Sequence, residues 1–209
     1  MASVSALARL QSLPALFRGS DLTVRFQWAS KTASHYLYLW KKRGLVQELG
    51  GRSDVFANLL VNRLPNWDAA LRMAMPTALV MGVEALRRAG WTTQVPSRPE
   101  VAVGAWQPVF KSLWHEVHPC TQAWFDLVHA GVQLGAGGDL AHLRPAWALA
   151  DMLHTHGWGA CGLQPDDLEL FDVTALDVQD WEAARLAFGL ELPDLDGLAL
   201  DPAPFIAKD

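Results

Sequence analysis

SDLTVRFQWASKTASHYLYLWKKRGLVQELGGRSDVFANLL, residues 20–60, is the stretch whose reading decides the fold of the N-terminal part of the chain. Ser30 offers a side-chain acceptor where the first amides of a helix need capping, and Gly44 closes the same segment as a left-handed stop. Between them Ala33, Leu37, Trp40 and Gly44 recur at three-and-four spacing, with Tyr36 beside them, which predicts one apolar stripe facing a small core. The opposite face carries Lys31, Thr32, Ser34, His35, Tyr38, Lys41 and Lys42, with Arg43 following. Cations, hydroxyls and an imidazole are the donors that phosphates and major-groove base edges require.

Downstream, residues 45–49 and 55–58 alternate like strands around Gly50-Gly51-Arg52-Ser53-Asp54, a turn sequence suited to a hairpin. Helix, short turn, capped helix and hairpin in that order predict a winged helix-turn-helix, the hairpin being the wing and Arg52 its tip. In this reading Lys31, Lys41, Lys42, Arg43 and Arg52 neutralise phosphates, while Thr32, Ser34, His35 and Tyr38 lie near base edges. A solvated helix end favoured by the helix dipole would account for Lys41-Lys42-Arg43 alone, but it does not also predict a hairpin.

Charge is distributed in the same sense. Residues 1–63 hold nine Lys and Arg against Asp21, Glu48 and Asp54, a net of +6, whereas the whole chain carries −5 and the remainder therefore −11. That asymmetry is expected of a basic nucleic-acid module joined to an acidic partner domain. At 209 residues and 51% hydrophobic content, the chain has material for an ordinary core plus a small module. Cys120 and Cys161 are too few for a disulfide scaffold, and no charged leader or uncharged apolar run of roughly 18 residues is present. A cytoplasmic location without membrane contact is expected.

Pro65, following Asn62-Arg63-Leu64, predicts a boundary there, giving a DNA-binding domain over 1–63, a mixed α/β domain over 64–191 and an acidic, proline-containing tail over 192–209. In the second domain Pro76 is read as opening a helix that Gly90 ends, with Leu79, Gly82, Val83 and Leu86 on one stripe. Residues 100–103 read as a strand, residues 145–156 as a helix begun by Pro145, residues 165–167 as a helix start, and residues 177–188 as a helix turning Trp181, Ala184 and Phe188 inward. The fold class expected is α+β.

His115, His118 and Cys120 in WHEVHPC, with His129, His154, His156 and Cys161, match no common zinc spacing, so no metal and no cofactor are expected. A cysteine–histidine dyad is disfavoured because a lone cysteine is usually a small buried apolar residue, and GVQLGAGGDL lacks the lysine and hydroxyl of a phosphate loop. No enzymatic activity is expected, and no catalytic residue is assigned.

TASHYLYLWKKRGLV, PTALVMGVEALRRAGWTTQVPSRPEVAV and RPAWALADML together resemble the AbiEi-type antitoxins of type IV toxin–antitoxin systems. Where many relatives carry glutamate and arginine after the proline of the last segment, this chain has Ala146 and Trp147. The resemblance implies a transcriptional repressor that binds repeats in its own promoter as double-stranded DNA. It also implies functional pairing, without a stable complex, with a nucleotidyltransferase-like toxin that the second domain counters.

Two other readings compete. Trp106, Trp114, Trp124, Trp147 and Trp158 would line an apolar pocket in a ligand-sensing winged-helix transcription factor. Asp166, Asp167, Glu169, Asp172, Asp177, Asp180 and Glu182 would dock a basic partner, although carboxylates are also favoured at helix N-termini. Oligomeric state and operator sequence carry no signature in the residues.

Overall fold

Helix α1 (Ala6–Gln11), strand β1 (Leu16–Arg18), helices α2 (Gly19–Phe26) and α3 (Ser30–Lys42), strands β2 (Val46–Glu48) and β3 (Val55–Asn58), and helix α4 (Trp67–Ala74) follow one another in the first part of the chain. The computed structural model describes residues 5–50, 52–106, 111–193 and 195–200, and these form an α+β fold of two units. The first unit holds the described residues up to Pro76 together with 111–114 and 136–140; the second holds the rest. Among the described residues no helix is long and apolar enough to cross a membrane.

In the first unit three antiparallel strands run in the order β1-β3-β2, with Phe17 opposite Phe56 and Gln47 opposite Ala57. Val55, Phe56, Ala57 and Asn58 of the middle strand β3 are all buried, with α4 packed on the strand and Phe56 in the core, so the alternation expected of a half-exposed strand is lost. Leu10, Leu13, Phe17, Leu22, Ala33, Trp40, Val46 and Phe56 make the core. The fully buried Asn58 satisfies its amide by donating to the carbonyls of Leu10 at 2.8 Å and Leu13 at 3.2 Å, tying the end of α1 to the sheet.

The expected boundary at residue 63 falls inside this unit. Asn66 caps α4 by accepting the Ala69 amide at 2.9 Å, and α4 packs on β3, so the unit continues to Pro76. Pro65 punctuates the chain without ending the core.

The second unit is built on a five-stranded sheet, ordered β6-β5-β4-β8-β7: β4 (Leu79–Val80), β5 (Glu100–Gly104), β6 (Glu116–Cys120), β7 (Val132–Gln133) and β8 (Ala141–Leu143). The β4–β8 and β5–β6 pairs are parallel, the other two antiparallel. Helices α5 (Gly82–Arg88), α6 (Gln122–Val128), α7 (Pro145–Thr155), α8 (Ala175–Phe188) and α9 (Leu195–Leu200) complete it. Every residue of α7 from Pro145 to Leu153 is buried, and Trp147, Leu149, Trp181, Ala184 and Phe188 join one apolar core. Pro145 does occupy the first turn of α7, and Gly157 beyond its end is left-handed.

Two sequence expectations for this unit are corrected. Pro76 does not open a helix: Leu79 and Val80 form the central strand β4, and the helix begins at Gly82. The shared stripe of Leu79, Val83 and Leu86 arises because strand and helix contribute to the same core. The segment from 192 is not a frayed tail throughout, since Leu195 and Leu198 of α9 are buried and the Trp181 indole donates to the Pro193 carbonyl at 3.0 Å. The rest of that tail, residues 201–209, lies outside the described residues.

Candidate nucleic-acid interface

Helix α3 is seated by aromatic packing from the turn before it. Gln27 ends α2 in the left-handed region at φ 53°, which redirects the chain, and Trp28 then stacks on Tyr36 at 4.5 Å with Trp40 at 6.1 Å. Arg9 lies over the Phe26 and Trp28 rings from α1. The helix cap is Ala29 and not Ser30; Ser30 is the first helical residue, and Ala29 makes no side-chain bond to the free amides. At the other end the expected stop is present. Gly44 is left-handed at φ 66°, its amide donates to the Lys41 carbonyl, and the Leu45 amide donates to the Trp40 carbonyl, the paired bonds of a Schellman motif.

With Ala33 and Trp40 buried, the opposite side of α3 faces outward. Lys31, His35, Tyr38 and Lys42 fall at helical spacing of four, three and four and form one ridge, with Ser34 and Lys41 on one flank and Thr32 and Arg43 on the other. All eight are exposed, as is Arg52 in the loop between β2 and β3. A cleft of about 260 Å³ between α2 and α3, lined by Ser20, Thr23, Ser30, Ser34 and Asp54 among others, opens beside the ridge and adds hydroxyl donors.

These cations are not equivalent. Lys41 is ion-paired through its Nζ to Glu48 of β2, which spends its charge on fixing the hairpin to α3. Among the described residues Lys31, Lys42, Arg43 and Arg52 have no acidic side chain within ion-pair distance. The positive charge of these four is therefore open on the surface, whereas that of Lys41 is engaged by Glu48.

The hairpin has a brace that sequence reading missed. Asp54 accepts the Ser20 amide at 3.0 Å, and its carbonyl accepts the Gly19 amide at 2.8 Å, so the loop is pinned to the first turn of α2. A turn-forming Asp is ordinary in a loop, and nothing local signals its role as the cap of a helix far away in sequence.

The residues singled out for other chemistries are spread out. Trp114 belongs to the first unit and stacks on Trp67; Trp147 is in the second unit's core; Trp124 is half-buried and donates to Asp151 at 2.8 Å; Trp106 is 59% exposed. Burial pushes the Cys120 thiol up to about 11, and that of Cys161 is also raised, chiefly by burial, which keeps both in the weakly nucleophilic thiol form near neutral pH. His115 is buried, His154 packs against Phe188 and His118 lies 3.7 Å from Glu100. Of the acidic run, Asp167 and Asp177 cap their own turns, Glu182 pairs with Arg185, and the buried Asp180 pairs with Arg144 at 2.7 Å. Much of that charge is thus used locally.

No family model matches the chain, and no curated protein matches it. Among solved structures it is similar to the crystal structure of the Rv2827c protein from Mycobacterium tuberculosis, with a TM-score of 0.51 and 16% identity over 88% of this chain and 74% of that one. At that identity the likeness concerns the fold.

Proposed function

We propose that the first unit is a winged helix-turn-helix that binds duplex DNA through the ridge of α3 and the β2–β3 hairpin, and that the chain is an antitoxin-type autorepressor. One observation carries the reading: the side of α3 away from the core is an exposed row of Lys31, Ser34, His35, Tyr38 and Lys42, and the hairpin beside it carries exposed Arg52. A helix inserted into the major groove needs donors on one exposed side and packing on the other. The α1-β1-α2-α3-β2-β3 order and the β1-β3-β2 sheet agree with a winged arrangement. The antitoxin part rests on the resemblance to AbiEi-type proteins, whose second domain opposes a nucleotidyltransferase-like toxin.

The test is a salt titration of binding to the DNA upstream of the chain's own gene, with a scrambled duplex of equal length beside it. Sequence-dependent binding with a steep salt slope is expected. Equal, weak binding to both duplexes would remove the repressor reading. Rescue of growth from a toxin encoded in the same operon tests the antitoxin half separately.

A further inference from the structure

Residues 111–114 lie in sequence between β5 and β6 of the second unit, yet in space they belong to the first. They meet the end of β2, the edge strand of the three-stranded sheet, and the residues just after it. The Leu113 amide donates to the Leu49 carbonyl at 3.0 Å, and the Trp114 indole donates to the Glu48 carbonyl at 3.2 Å. The Trp114 ring stacks on Trp67 of α4 at 4.2 Å with the planes 8° apart. Gly50 closes the contact: its φ is 110°, and a Cβ there would lie 2.8–2.9 Å from the Leu113 amide, the Leu113 side chain and the Lys111 carbonyl.

Covering an edge strand against unwanted pairing would account for a segment laid anywhere along it. These bonds gather at one place, Glu48 to Gly50, where β2 gives way to the loop that carries Arg52. Glu48 is held from both sides, its carbonyl by Trp114 and its carboxylate by Lys41 of α3. The hairpin is thereby tied to the helix on one side and, through Trp114 and Trp67, to α4 on the other.

From this geometry we infer that Trp114 is a positioning residue for DNA binding, a clamp that holds the hairpin so that Arg52 meets the duplex at the same time as the ridge of α3. The inference rests on the proposed DNA-binding role. It adds that a segment outside the helix-turn-helix sequence sets the hairpin's contribution, by lowering the conformational freedom lost on binding.

The experiment is a double-mutant cycle on the full chain, using the upstream duplex as probe. Trp114→Ala is expected to weaken binding about as much as Arg52→Ala. Adding Arg52→Ala to it then costs a further factor of about two or less, while adding Lys42→Ala costs that substitution's full factor. Multiplicative losses for Trp114 and Arg52 would overturn the inference. Hydrogen exchange without DNA gives a second reading: in Trp114→Ala the amides of Leu49 and Ser53, bonded to Val55 and Gly50, lose protection while those of α3 keep theirs. Unchanged protection at Leu49 and Ser53 would also overturn it. If the wild-type chain binds no DNA, the functional reading fails, and the exchange result still decides whether Trp114 clamps the hairpin. Trp114→Phe, which keeps a ring against Trp67 but removes the indole donor, is expected to lose the same protection in part, and it serves if the alanine variant does not fold.

Discussion

Asp54 and Ser20, 34 positions apart, meet where the hairpin loop touches the first turn of α2, the Ser20 amide donating to the Asp54 carboxylate at 3.0 Å. The bond satisfies a free amide at a helix start and fixes the loop that carries Arg52. Asp54→Ala should therefore lower stability by about 1 kcal/mol, the usual cost of losing a helix cap, and Asp54→Asn should recover most of it. Chemical denaturation measures both. An unchanged midpoint for the alanine variant would mean the bond contributes nothing.

Gly44 gives a cleaner conformational test. Its φ is 66°, and an added Cβ would meet nothing within 4 Å, so an alanine there brings strain without a clash. Gly44→Ala should cost roughly 1 kcal/mol, and Gly44→Asn less, because asparagine tolerates the left-handed region better. The comparison is made by thermal unfolding of the three proteins. Equal stability of all three would remove the Schellman stop as the reason α3 ends at Lys42.

On the ridge of α3 the roles of residues separate by the form of the loss. Lys42→Ala should weaken binding to specific and scrambled duplexes alike and reduce the slope of log affinity against log salt by about 1. His35→Ala and Tyr38→Ala should instead change the ratio between the two duplexes and leave that slope in place. Lys41→Ala should act differently again. Its ion pair with Glu48 is lost, so the hairpin loosens and stability falls slightly, by up to about 1 kcal/mol for an exposed pair. Equal salt slopes for the wild type and Lys42→Ala would exclude Lys42 from phosphate contact.

The parts of the fold legible in the sequence are those written within a few residues of one another. Gly44 after an apolar stripe ends a helix by a local rule, and the turn residues around Arg52 separate two short strands in the same way. Leu79 and Val80 read as helix because two residues hold no periodicity of their own, and the stripe that Leu79 shares with Val83 and Leu86 fits a helix equally well. The role of Trp114 lay beyond reach for another reason. Its partners, Glu48 and Trp67, stand 66 and 47 positions away, and no local pattern signals a pairing that only the completed sheet creates. Ser30 shows the opposite case, a good capping residue that stands one place inside the helix.

Asp151 makes the second unit's stability depend on pH in a direction that can be worked out. It sits on α7, 3% exposed, and its Oδ1 accepts the Trp124 indole at 2.8 Å. Burial raises its carboxyl above the ordinary aspartate range, against the lowering effects of the Trp124 bond, His154 and His156; Glu100 and the Cys120 thiol, both in its field, are raised as well, each chiefly by burial. A carboxyl whose folded pKa exceeds its unfolded one holds its proton more tightly when folded. Its contribution is fully present below the unfolded value, near 3.9, and is lost as pH rises through the folded value. Asp151→Asn keeps an oxygen for Trp124 and cannot ionise. It should match the wild type near pH 4 and exceed it in melting temperature at pH 7 to 8, with the gap opening between. Thermal unfolding of both proteins across that range tests the point, and parallel curves would show that Asp151 stays ionised in the fold, its burial offset by Trp124 and the two histidines.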